Sequence, residues 1–151
     1  MTLSKNQNLL STICNVYFAF PEEISSYVDG ADPYHVVITF KTGKAWKEIY
    51  FTPGSAEVTE NLKAAEQGVL HDQLLKFIFP GEDDGNLRDL ELMKDRPVIL
   101  KMYFPSANKS KIMGTMENGA RLIFNFSTSQ KSTGWEMAFS CLADEPACWL
   151  Q

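Results

Sequence analysis

Two histidines, three cysteines and nineteen acidic side chains are the groups in this 151-residue chain that could do chemistry at neutral pH. His35 opens a β-branched run and His71 stands beside Asp72, so either ring could meet a distant nucleophile or carboxylate. Neither sits in a local catalytic pattern, because the chain has no Gly-x-Ser-x-Gly elbow and no Gly/Cys-rich catalytic turn. Both rings are expected at the surface or at the edge of a pocket. Cys14, Cys141 and Cys148 each lie in an apolar stretch with no regular spacing, which predicts buried free thiols in a reducing compartment.

The acidic run Glu82-Asp83-Asp84 is the one local carboxylate cluster, and Gly85 follows it at once. Calcium loops alternate oxygen ligands with spacers and place a Gly sixth and a Glu twelfth. Contiguous acids do not, so a solvated turn is expected, with negative charge just ahead of a helix N-terminus where the dipole favours it. Carboxylate pairs for glycoside hydrolysis need not be near in sequence, and nineteen acids offer too many pairs to choose among. No phosphate-cradling Gly-rich loop and no zinc-ligand spacing occurs. The expected catalytic, cofactor-binding and metal-binding sets are therefore empty, and the chain reads as non-enzymatic. Trp46, Trp135 and Trp149, with Tyr17, Tyr34, Tyr50 and Tyr103, could form a carbohydrate or base platform. At strand spacing they are expected in the core or a subunit interface instead.

Charge narrows the partners. The net charge is −5, and the acidic excess is local: residues 1–53 carry four basic and five acidic groups, 54–100 five and ten, 101–151 five and four. No basic stripe exists to neutralise phosphates, so neither nucleic acid nor an anionic membrane is an expected partner. Near the N-terminus, Leu9, Leu10, Ile13 and Val16 are interrupted by Ser11, Thr12, Cys14 and Asn15. No secretory h-region forms, Ile13 is too large to precede a lipidated Cys14, and a cytoplasmic protein is expected.

The elements that must position these groups are strands. Hydrophobic residues make up 44% of the chain with ten Phe, a composition suited to pleated, half-buried surfaces. Residues 1–11 read as a flexible N-terminal arm and 12–151 as a single β domain. Strands are expected at 13–20, 34–40, 45–51, 69–79, 98–104, 111–116, 121–126, 135–141 and 147–150. The stretch 22–33 reads as a loop, and 55–67 is ambiguous between strand and helix. Lys41-Thr42-Gly43-Lys44 reads as a hairpin loop, Asn118-Gly119 as a two-residue hairpin turn, and 127–133 as a mobile tip. Leu87, Leu90 and Met93 recur at helical spacing behind an Asn86 cap, which predicts a short helix over 86–95. The fold class is mainly β: an antiparallel β-sandwich or barrel of about nine strands with that one helix.

From Trp46 onward the order of features resembles a known group. An aromatic strand runs into Phe51-Thr52-Pro53-Gly54-Ser55-Ala56, then Thr59-Glu60, and Gly68 precedes a long strand. Leu87, Leu90 and Leu92 lead into Arg96-Pro97-Val98, followed by Gly114, Gly134-Trp135 with Phe139, and Pro146-Ala147. This is similar to small β-rich structural proteins of tailed phages and prophages of Bacteroidetes-like elements, of tail-tube or tail-completion type. The resemblance implies a structural or assembly protein that self-associates through edge strands and loops. Its partners would be copies of itself in a ring and other tail proteins, in the cytoplasm or within a virion-like particle. The segments at 53–67, 127–133 and 1–12 are the expected contact regions. A small-molecule or carbohydrate-binding β protein is the alternative, and a hydrolase assembled from distant residues the third reading.

Overall fold

A computed structural model describes residues 13–66, 68–79, 88, 91–128 and 133–151, with the backbone alone for 124–128, 133 and 134. The described residues form eleven strands: β1 (Asn15–Ala19), β2 (Ile24–Asp29), β3 (His35–Phe40), β4 (Lys47–Ile49), β5 (Glu57–Ala65), β6 (Gly68–Phe79), β7 (Ile99–Phe104), β8 (Lys109–Met113), β9 (Arg121–Thr128), β10 (Thr133–Ala143) and β11 (Cys148–Leu150). A seven-stranded sheet in the order β2-β3-β11-β8-β7-β1-β4 curls into a half-barrel, and β5-β6-β10-β9 make a second sheet. Every pairing is antiparallel except β11 with β3. No helix among the described residues is long and apolar enough to cross a membrane.

Period-2 alternation places the core. One face of the curled sheet sends Val16, Phe18, Leu100, Met102, Phe104 and Met113 towards Leu75, Phe77, Met137 and Phe139 of the second sheet, and these form one buried cluster. The other face holds a smaller cluster of Ala19, Ile24, Val36, Ile99 and Ile112. Because both faces of β7 are covered, its residues Ile99 and Leu100 are fully buried side by side. Each such Leu, Ile, Phe or Met contributes about 1.5–3 kcal/mol by leaving water.

An ion pair ties the turn between β1 and β2 to β4. Glu23 lies in the 3-10 turn Pro21–Glu23 just before β2, and Lys47 begins β4 at the opposite end of the strand order. Lys47 Nζ donates to both Glu23 carboxylate oxygens, at 3.1 and 3.0 Å. Glu23 Oε1 also accepts from the Phe20 amide at 3.1 Å.

Several local expectations are corrected. The turn at 41–44 exists, with Lys44 N donating to Lys41 O and Gly43 at φ 79°, but it does not close a hairpin. β3 pairs with β2 and β11, whereas β4 pairs with β1. The chain between them carries Trp46 against Phe40, with ring centroids 5.2 Å apart. The presumed loop 22–33 contains β2, and the ambiguous 55–67 stretch contains β5, which brings nine strands to eleven. In the 127–133 stretch, Ser127, Thr128 and Thr133 belong to strands, while 129–132 lie outside the described residues. So do the 1–11 arm, the 82–84 cluster and its turn, Gly85, the Asn86 cap, Leu87 and Leu90. Within the expected helix, Arg88 and residues 91–93 are helical and Met93 is buried.

Asn118-Gly119 is not a hairpin turn either. The chain changes sheets there, from β8 to β9, and neither residue has positive φ. What requires glycine is proximity: a Cβ on Gly119 would stand 2.7 Å from Pro97 Cβ and 3.1 Å from the Val98 amide nitrogen and carbonyl oxygen. Val98 and Ala120 bridge at this point. A proline ring and a bridged backbone have little room to yield, so Gly119→Ala is expected to cost about 1–3 kcal/mol by overpacking. A lowered urea midpoint with an unchanged slope would register it.

Candidate functional site

The residues singled out by chemical type do not converge. His35 Nδ1 is 2.7 Å from Asp32 Oδ1, and the same oxygen accepts from the Tyr34 amide at 2.8 Å. These bonds hold the Asp32 carboxyl below its ordinary range, the histidine contact first. The dyad is a local turn joining residues three apart. Cys148 is the nearest thiol in register, but Trp149 pairs with His35, so the His35 ring and the Cys148 side chain point to opposite faces of the sheet. His71 sits opposite Leu62 and Ala143 on the second sheet. All three cysteines are free thiols. Cys141 is buried and Cys148 half-buried, whereas Cys14, expected to be buried, is exposed at the start of β1.

The aromatic side chains are dispersed. Tyr34 and Tyr50 are exposed in separate connections, and Trp135 packs against the main core. Trp149 meets Phe104 edge-on, with Lys109 and Lys111 over its ring. Tyr17 and Trp46 both lie beside Lys101, whose Nζ is 4.4 Å from the Tyr17 centroid and 5.1 Å from that of Trp46. Burial lowers the Lys101 pKa. A lysine in the alternating 98–104 run was the only sequence mark of this contact.

A cleft of about 380 Å³ opens where the connections β8–β9 and β10–β11 leave the sheets. Tyr27, Val36 and Ile112 wall one side, and Gln73 and Cys141 the other. The Tyr27 hydroxyl donates to Gly114 O at 3.0 Å. Burial first, then the thiols and the carboxylates Asp29 and Glu117, push the Tyr27 phenol far above its usual value, so it stays protonated. Burial likewise raises Cys141 and Cys148, the latter with help from Glu145, Asp29 and Glu60.

The second prominent feature is a protruding hairpin. β10 pairs with β6 only as far as His71, while β5 and β6 continue to the pair Ala65–Gly68. Three residue pairs, about 10 Å at strand rise, extend beyond the neighbouring strand. Leu62, Ala64 and Val69 share one face of this arm, with Leu62 70% and Val69 58% exposed. The whole outer edge of β5 has no ladder partner among the described residues.

No family model matches this chain, and no match to it was found among curated proteins or solved structures.

Proposed function

We propose that this protein is a non-enzymatic structural or assembly component that self-associates, of the kind found in phage tails and head–tail junctions. The observation carrying this reading is the β5–β6 arm. A nine-residue strand edge presents unpaired backbone donors and acceptors, which is a template for a strand from another chain. Natural edges of this length are commonly blunted by proline, by charged side chains or by a cover; β5 carries Glu57, Glu60 and Lys63, but has no proline and no cover among the described residues. The exposed Leu62 and Val69 add apolar area at the same place. An arm meeting a different patch on the next copy makes a head-to-tail contact, which closes into a ring when the rotation permits. Other tail-type proteins would bind the ring's two ends.

Sedimentation of the full chain over a wide concentration range tests this. Concentration-dependent oligomers are expected, and the double substitution Leu62→Glu with Val69→Glu is expected to return them to monomer with an unchanged melting temperature. A protein that stays monomeric at the highest concentration overturns the proposal.

A further inference from the structure

We propose that the β5–β6 arm of one copy docks on the core-side face of β2, β3 and β11 of the next, on a patch of valine, tryptophan and lysine. The contact presupposes the self-association proposed above.

Alternation and register define the patch. Trp149 pairs with His35 and with Lys111, and Val28 with Val37, two residues beyond His35. With Lys109, these side chains therefore share one face of the seven-stranded sheet. It is the face on which Met102 and Phe104 enter the main core, because they pair with Lys111 and Lys109. The second sheet has four strands against seven, and no residue of β2 or β3 belongs to that core. Val28 is left 54% exposed, with Val37 and Trp149 half-buried.

The arm is the matching surplus on the other layer. Val58 packs against the main core, and Leu62 and Ala64 continue its face of β5. Within its own copy this face has no sheet to lie on beyond Glu60, as the exposure of Leu62 and Val69 shows. Each copy thus carries two uncovered pieces of core-side sheet that do not meet in cis. Arm on patch would repeat between copies the face-to-face layering, about 10 Å apart, that builds each one. Apolar side chains left exposed on both pieces are what such a contact buries.

Charge selects the occupant. Lys109 and Lys111 each hold Nζ 5.4 Å from the Trp149 centroid, and neither is in an ion pair among the described residues. From Glu57 to Glu66 the arm carries three glutamates and one lysine. Arm against patch is attractive, whereas arm against arm or patch against patch sets like charges together. The contact is therefore heterologous, as a ring requires.

Sedimentation of the full chain and its variants tests this. Lys109→Glu with Lys111→Glu is expected to weaken association about a hundredfold at an unchanged melting temperature. Copies carrying this change keep the arm, whereas copies with Leu62→Glu and Val69→Glu keep the patch. Each is expected to be monomeric alone, and an equimolar mixture to form dimers and nothing larger. Should the reversal lower the melting temperature, Lys109→Gln with Lys111→Gln removes the charge and keeps side-chain stems on the indole, and about tenfold weaker association is expected. Wild-type oligomers that both lysine variants leave intact would overturn the docking site while self-association stands. A mixture that stays monomeric, or grows beyond the dimer, would overturn it too. A wild-type chain that never associates would overturn both readings.

Discussion

Phe139→Ala is expected to lower the unfolding free energy by about 4 kcal/mol, in the range found for emptying a buried aromatic site. Phe139 is wholly buried on β10, the strand that pairs with both β6 and β9. Its ring stacks 6.1 Å from Phe77, which lies 5.7 Å from Phe51 in the connection between the sheets. That row of rings packs the connection onto the inner face of the second sheet. Thr52 N bonds to Ile78 O at 2.8 Å, fixing the connection against β6. With the layers pinned this way the cavity left by alanine can close only in part, so the cost includes lost contacts as well as lost transfer free energy. Total stability of a domain this size is about 5–15 kcal/mol, so the variant should show a greatly lowered urea midpoint. Val28→Ala, 54% exposed at the edge of the other sheet, should change it by under about 0.5 kcal/mol. Similar losses at the two positions would contradict this account of the core.

The strands that build this core were legible because their neighbours are long in sequence and uniform in pattern. Leu75, Phe77 and Phe79 alternate with Lys76 and Ile78, and Leu100, Met102 and Phe104 with Lys101 and Tyr103. Pro21 and Pro105 end their strands as expected. β2 was hidden by its own chemistry: Ser25 and Ser26 sit at a register irregularity in an edge strand, where polar residues and broken alternation are tolerated. β5 was ambiguous because most of its side chains are exposed, so no buried face imposes a period of two.

Which strands pair was harder to read than which segments are strands. Gly43 and Gly119 both read as hairpin turns in the sequence, since adjacent strands usually pair. Here the chain instead crosses to the far edge of the curled sheet in one case and to the other sheet in the second. The cleft was invisible for the same reason. Its groups come from residues 27–29, 73, 114–118 and 141–148, and only the topology brings them together. The acids at 82–84 are contiguous in the sequence, whereas Asp29, Glu117, Asp144 and Glu145 carry no spacing that marks a common site.

The Glu23–Lys47 pair leads to the second large effect, and its two halves should behave differently. Glu23 is 7% exposed at the side chain and Lys47 49%. Burial by itself would raise the Glu23 pKa, but the Phe20 amide and the Lys47 ammonium outweigh it and hold the carboxyl below its usual range. Lys47→Ala therefore strands a buried carboxylate, at an expected cost of about 2 kcal/mol near neutral pH. Glu23→Gln leaves a half-exposed ammonium that water can still solvate, and should cost only about 1 kcal/mol.

The pH dependence follows from the direction of the shift. A depressed carboxyl stabilises the fold fully above its unfolded value, and this contribution is lost as pH falls through the folded value. The gap in unfolding free energy between the wild type and Lys47→Ala should shrink as the solution is acidified, because protonated Glu23 no longer needs its partner. Glu23→Gln should lose less stability than the wild type over the same interval. Urea unfolding of the three proteins from neutral pH to about pH 3, a unit or so below the ordinary glutamate value, reads this directly. A gap that stays constant across that range would mean that Lys47 stabilises the fold by its contacts with Phe18 and Phe20, whose centroids lie 5.5 and 5.1 Å from its ammonium, and not by charge on Glu23.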